Sequence, residues 1–289
     1  MRINGKTSVY GVVGWPVEHS LSPWFQNWFI DAQGLNAVYI PFPVPSASID
    51  AALKGLYAAG VAGLNVTVPH KEVVARFVQT DNDAGRIGAV NTLRHTQGGW
   101  QATNTDWRGL RLVIEGLGLE LSGKHVLMFG AGGTARAFVH ALNGLGCHLT
   151  ICNRTPERAS DMLSHVVSSY PGLQCEIIPW TEDAVSLVCE DAVLLLNATS
   201  IGLRESDRFP FVLTGEGVAI DAVYRPDGCT PFCQAAARRR TLDGLPLLVA
   251  QGAASFSWWH DTDIPSLNDT LLEMQRQLGR RALPLPEWH

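Results

Sequence analysis

The chain has 289 residues, 46% of them hydrophobic, and a formal net charge of −5. That length favours two domains over one, and the apolar content is enough for a core. The acidic balance excludes nucleic acid as a main partner, because binding phosphates needs a basic surface.

No stretch reaches membrane-spanning length, so no membrane is expected. Met1–Gly5 is polar and runs straight into an apolar segment, which predicts no signal peptide and a cytoplasmic location. The six cysteines are scattered without metal-ligand spacing, so no metal is expected. Cys229 and Cys233 share a helical spacing and read as two reduced thiols.

Ser8–Val13 reads as a strand ending at Gly14. Trp15-Pro16 through Ser22-Pro23 is a punctuated loop, with Ser22 placed as the N-cap of a helix over Trp24–Gln33. On spacing alone Ser20 and Ser22 read as turn and cap residues, with an anion pocket as the sharper alternative. Trp24, Trp28, Trp258 and Trp259 read as core. Ala37–Pro43 is a second strand, and Ser46–Ala58 a helix capped by Ser46 with Ile49, Leu53 and Leu56 on one face. Gly63–Val68 is a third strand, and His70-Lys71-Glu72 opens another helix. Strand and helix alternate, which predicts an α/β layer structure. Asn65, Thr67 and Lys71 either face water or line a pocket at the carboxyl end of a sheet. Gly88-Ala89-Val90-Asn91-Thr92 and Asn104-Thr105-Asp106 repeat the pattern of a short apolar run ending in Asn-Thr, which points to a shared polar crevice.

Asp106–Gly118 reads as a helix bridging two domains. Val126–Phe129 is then a short apolar run followed by Gly130-Ala131-Gly132-Gly133-Thr134-Ala135. This is the fingerprint of a strand turning tightly into a helix, here Thr134–Leu145. The first glycine makes the turn, the second admits a pyrophosphate, and the small third residue lets helix pack on strand. His148–Cys152 completes the βαβ context that a dinucleotide site needs. The next residues are Asn153-Arg154-Thr155-Pro156-Glu157-Arg158, with no acid at the strand end. An acid there would bond a ribose 2′-hydroxyl, whereas arginine accommodates a 2′-phosphate, so the cofactor reads as NADP rather than NAD. Further strands follow at Cys175–Ile178, Ala192–Leu196 and Val218–Val223, with Asn197-Ala198-Thr199-Ser200 after the second, where a nicotinamide would lie. Helices are expected at Phe232–Arg239, Leu245–Trp259 and Ile264–Leu278. Arg238-Arg239-Arg240 reads as a solvated helix end complementing the dipole.

In order along the chain, His19-Ser20-Leu21-Ser22-Pro23, Asn65-Val66-Thr67-Val68-Pro69-His70-Lys71, Gly88–Thr92, Asn104–Asp106, the glycine turn, Asn153-Arg154-Thr155, Asn197–Ser200 and Gln251 before Ser255-Phe256 resemble the shikimate dehydrogenase family. The resemblance implies two α/β domains with a cleft between them. The substrate domain would take residues 1–105 and 241–289, and a Rossmann NADP-binding domain residues 106–240. It assigns Lys71 and Asp106 as the catalytic pair. Ser20, Ser22, Asn65, Thr67, Asn91, Tyr224 and Gln251 would bind the substrate, the two serines holding its carboxylate. The glycine turn from Gly130 to Ala135, with Asn153, Arg154, Thr155, Arg158, Thr199, Ser200, Val223 and Gly244, would bind NADP.

The implied reaction is hydride transfer between NADP and a hydroxylated ring carboxylate, 3-dehydroshikimate and shikimate, by a monomer or homodimer in aromatic amino-acid biosynthesis. Trp15 stands where the family has Asn, Gln26 replaces His, Leu203 replaces Met, and one extra residue lies between Tyr224 and Thr230. Quinate and aminoshikimate are therefore rival substrates. A non-catalytic NADP or cyclitol-acid sensor is the rival of another class, and a folate-type dehydrogenase of similar design lacks the serine pocket.

Overall fold

A computed structural model of the chain describes residues 3–288. It divides into two compact units. The first runs up to Gly109 and adds Leu248–Thr270; the second takes Leu110–Leu247 and Leu271–Trp288.

The first unit opens with β1 (Ser8–Gly14), α1 (Ser22–Ala32), β2 (Ala37–Pro43), a 3₁₀ turn at Ser46–Ser48, α2 (Ile49–Ala58) and β3 (Gly63–Val66). It continues through α3 (Lys71–Val74), β4 (Gln79–Thr80), α4 (Asn82–Ile87), β5 (Thr92–Thr96), β6 (Gly99–Thr103) and into α5 (Asp106–Gly116). The sheet order is β2-β1-β3-β5-β6-β4. β1 is parallel to β2 and β3, whereas β5 runs antiparallel to both β3 and β6. Strands buried on both faces read as apolar runs, and Val13, Leu64, Val66 and Leu93 form the core with Ile49 and Leu53 of α2. Asn27 of α1 bonds both backbone polar atoms of Tyr39 in β2, which ties the helix to the sheet.

Four expectations change here. Ser22 is the first residue of α1, and Leu21 occupies the N-cap position with no side-chain cap bond. The hydroxyl of Ser20 instead accepts from the Ser22 N–H at 3.3 Å. Ser46 caps nothing, because the chain enters through a 3₁₀ turn after Pro45. Gly88–Val90 is not a strand: Gly88 closes α4 in the left-handed region at φ 71°, so Asn91 precedes β5 rather than ending a strand. Trp24 and Trp28 are not core. They stack on each other at 6.2 Å and are 38% and 36% exposed, while Trp259 is buried and donates to Leu93 O.

The second unit holds β7 (His125–Phe129), α6 (Gly133–Leu142), β8 (His148–Cys152), α7 (Pro156–Ser169), β9 (Gln174–Ile178), α8 (Glu182–Cys189) and β10 (Ala192–Asn197). Then come β11 (Val218–Asp221), α9 (Pro231–Ala235), β12 (Arg240–Leu242), α10 (Leu245–His260) and α11 (Leu267–Gln277), the last two running across the unit boundaries. All its strand pairs are parallel, in the order β12-β11-β10-β7-β8-β9. The order reverses between β7 and β10, the switch point where open α/β sheets bind ligands.

Two differences from expectation have clear causes. The strand predicted over Val218–Val223 ends at Asp221, because its carboxylate accepts the Val223 N–H at 2.9 Å and turns the chain. Arg239 is not solvated: it is 5% exposed and donates to the carbonyls of Cys189, Ala192, Thr214 and Glu216. The tail also departs from the 241–289 grouping, since Leu271–Trp288 belongs with the second unit. There the Trp288 indole donates to Leu112 O at 2.6 Å and Glu287 N to Gly116 O at 3.1 Å.

Candidate active site

Strand direction gathers the polar residues of the first unit. β1, β3 and β6 point the same way, and β5 runs opposite to them. The segments after β1, β3 and β6 and the one before β5 therefore share one edge of the sheet. Ser20 and Ser22 follow β1, Thr67 and Lys71 follow β3, Asn91 precedes β5, and Asn104 to Asp106 follow β6. This is why an Asn at a strand start and others at strand ends lie together.

Lys71 opens α3 and Asp106 opens α5, and their side chains meet with Nζ 2.6 Å from Oδ2. Only 13% and 10% of these side chains is exposed. The other carboxylate oxygen accepts from Asn91 Nδ2 at 2.8 Å. That amide also lies 3.1 Å from Gln251 Oε1, and Gln251 in turn donates to Leu248 O within α10. Asn104 sets the start of α5: its Oδ1 accepts the Asp106 N–H and its Nδ2 donates to Ala89 O. The structure thus joins Lys71, Asp106, Asn91 and Gln251 into one hydrogen-bonded chain. A low-dielectric surround strengthens such a charge-assisted bond.

Behind this chain lies a second polar layer. Asn65 Nδ2 donates to Asn91 O, Thr92 Oγ1 and Ser255 Oγ, and its Oδ1 accepts from the Tyr39 hydroxyl at 2.7 Å. Asn91 Oδ1 accepts from Thr92 Oγ1 and from the Thr105 N–H. Every polar atom of the Asn65 amide is engaged internally, so it braces the wall. Ser22 is buried, whereas Ser20 and Thr67 are half-buried. Gln26, one turn beyond Ser22, donates to Gly252 O at 2.9 Å. A Cβ at Gly252 would stand 2.4 Å from the Phe25 ring, so only glycine lets α1 and α10 approach this closely. That contact fixes Ser22 relative to Gln251.

In the second unit Gly130 follows β7 with φ 112°, and a Cβ there would lie 2.9 Å from the Ala198 carbonyl. Ala131 and Ala135 are buried, Gly132 is the N-cap of α6, and Gly133 and Thr134 form its first turn with no acidic residue and no side-chain cap. The helix start is left open to an anion. Arg154, Thr155 and Arg158 are exposed around the start of α7, with Asn153 Nδ2 donating to Thr155 O. These residues fit a dinucleotide carrying a 2′-phosphate. Thr199 is bonded to Asn197 Oδ1 through both its hydroxyl and its N–H, and Ser200 is exposed beside it. Val223 is buried, its O accepts the Gly244 N–H, and Tyr224 is half-buried.

Residues 12–93 match the model of the shikimate dehydrogenase substrate-binding domain, and residues 112–188 that of shikimate / quinate 5-dehydrogenase. The chain is 41% identical over 271 residues to shikimate dehydrogenase (NADP(+)) of Rubrobacter xylanophilus, covering 91% of this chain and 94% of that one. The chain belongs to the shikimate dehydrogenase family. The Maricaulis maris relative of the same name is 37% identical over 96% of this chain and 99% of its own. Among solved structures, shikimate dehydrogenase of Aquifex aeolicus superposes with a TM-score of 0.82 at 34% identity, covering 95% of this chain and all of that one. The Thermus thermophilus enzyme in complex with NADP(H) and shikimate gives 0.79 at 32%, covering 94% and 100%.

Several supporting residues in this family member escape sequence reasoning. At the ends of β10 and β11, Asn197 Nδ2 donates to Asp221 Oδ1 at 2.8 Å, and Thr230 Oγ1 to Asp221 Oδ2 at 2.6 Å. Burial pushes the Asp221 carboxyl up to about 7, against the three donors that favour its charge. Asp243 is likewise raised by burial, with Arg280 opposing. A hydrogen-bond partner far along the chain leaves no local spacing signal. Among the described residues no group of three or more His, Cys, Asp or Glu is placed to hold a metal, and no helix is long and apolar enough to cross a membrane.

Proposed function

We propose that this chain interconverts 3-dehydroshikimate and shikimate with NADP, using Lys71 and Asp106 as its proton-transfer pair. The observation that carries the reading is the 2.6 Å Lys71–Asp106 contact, with Asn91 on the second carboxylate oxygen, in a member of this family. Bound NADP supplies the hydride carrier that the side chains lack. The chain's own residues must hold the ring acid and move one proton.

In the reductive direction Lys71 donates a proton to the oxygen of the forming alcohol. Asp106 keeps the amine aimed and compensates its charge; Asn91 keeps Asp106 from rotating. The two groups act as one proton-transfer unit. Ser20 and Ser22 hold the carboxylate. Thr67, Asn91, Tyr224 and Gln251 bond the ring substituents, and Asn65 acts by bracing Thr92 and Ser255. Gly130 to Ala135, with Thr199, Ser200, Val223 and Gly244, take the dinucleotide, and Asn153, Arg154, Thr155 and Arg158 take the 2′-phosphate.

Steady-state rates on shikimate and quinate, each with NADP⁺ and NAD⁺, test the proposal. Shikimate with NADP⁺ is expected to give the highest kcat/KM. Faster turnover of quinate would move the chain to the quinate branch. Binding of both ligands without turnover would make it a sensor.

A further inference from the structure

The loop that carries Tyr224 is held by the C-terminal segment. Arg280 lies three residues past α11. Its guanidinium makes a two-pronged contact with Asp243, Nη1 to Oδ1 at 3.2 Å and Nη2 to Oδ2 at 2.9 Å. The side chains are only 12% and 7% exposed. The same guanidinium donates through Nε to Pro226 O at 2.8 Å and through Nη2 to Arg225 O. Asp243 Oδ2 also accepts the Arg225 N–H at 3.4 Å. The far side of the loop is fixed by Arg225 itself, which donates to Gly202 O at 2.9 Å and Arg204 O at 2.6 Å.

Pro226, Asp227 and Cys229 are exposed, so apolar packing does little to order this stretch. The two carbonyls facing Arg280 immediately follow Tyr224. A planar guanidinium meets a carboxylate and two carbonyls at once; an ammonium has no such fork. We propose that Arg280 and Asp243 are positioning residues that set Tyr224 for the substrate. This deepens the proposed function and rests on it for the role of Tyr224.

Removing Arg280 alone leaves a buried carboxylate without its partner and endangers folding. The test therefore uses Arg280→Met with Asp243→Asn, which removes both charges, beside Arg280→Lys. Two readouts are taken on the full chain.

The first is amide hydrogen exchange, which reports local opening and needs no turnover. Exchange over residues 224–229 is expected to speed up about tenfold or more in the double variant, and less in Arg280→Lys. The β7–β8 region is expected not to change. The second is kinetic. The KM for shikimate is expected to rise about tenfold with kcat within about twofold, the signature of lost uniform binding. Adding Tyr224→Phe to the double variant should raise KM little further, because residues acting through one contact are non-additive.

Unchanged exchange over 224–229 overturns the proposal. So does a KM effect that adds in full to that of Tyr224→Phe. If the wild type turns over no shikimate, the proposed function fails, and exchange alone decides whether Arg280 holds the loop.

Discussion

Lys71 and Asp106 are separated by 35 positions and meet at 2.6 Å. Lys71→Ala removes the proposed proton donor but leaves Asp106 bonded to Asn91. The expected result is a fall in kcat of about 10²–10⁴, the usual weight of a positioned acid or base, with the KM for shikimate little changed. An unchanged kcat with a raised KM would make Lys71 a binding residue only. Arg154 is a second single-residue case. It is exposed at the start of α7, and no carboxylate ends β8. Arg154→Asp places a negative charge where a 2′-phosphate would sit. Affinity for NADPH should drop about tenfold or more relative to NADH, because the two differ only in that phosphate. Fluorescence titration with both nucleotides measures it, and equal losses would assign the phosphate to other residues.

At the scale of elements, the legible parts were those with a long, regular pattern. The βαβ run from β7 to β8 has continuous apolar strands around a glycine turn, so both its strands and its chemistry could be read. The β5–β6 hairpin carries no such pattern: Thr92-Leu93-Arg94-His95-Thr96 has one aliphatic residue, and its partner strand lies beyond a Gln97-Gly98 turn. β4 is two residues long and takes its conformation from pairing with β6, not from its own sequence. Arg239 shows a second limit. In sequence it is the middle of three arginines; in the fold it joins the end of α8, β10 and the segment before β11 through four backbone carbonyls. Arg239→Met keeps much of the stem but takes the guanidinium away from those carbonyls, of which Thr214 O keeps a contact from Cys189 Sγ. Its cost is expected to be on the order of 2–4 kcal/mol, since buried acceptors left unpaired lose more than one ordinary hydrogen bond contributes. Urea unfolding of the variant measures this, and a loss below about 0.5 kcal/mol would return Arg239 to the surface role.

For the whole molecule, the candidate site was legible as a set of residue types but not as a hierarchy. Asn65 and Asn91 look alike in sequence, yet Asn65 is enclosed by Tyr39, Thr92 and Ser255 while Asn91 reaches Asp106. Both are buried, so what separates them is the partners each one meets, and those partners are a property of the fold. The same holds for Asp221, whose carboxyl is raised to about 7 chiefly by burial, from an ordinary value of 3.8. Between those two values the folded chain holds a proton there that the unfolded chain has released. Stability from this group is therefore full below about pH 4 and is lost as the pH rises through about 7. Asp221→Asn has no such proton, so this contribution is absent from it. Other carboxylates also shift, so the useful quantity is the difference in unfolding free energy between the variant and the wild type. That difference should move in favour of Asp221→Asn between pH 5 and pH 8, by on the order of 1–3 kcal/mol, and level off above pH 8. Urea midpoints at pH 5, 6, 7 and 8 measure it. A difference that stays constant across the series would mean that the donors from Asn197, Val223 and Thr230 keep Asp221 charged at all four values.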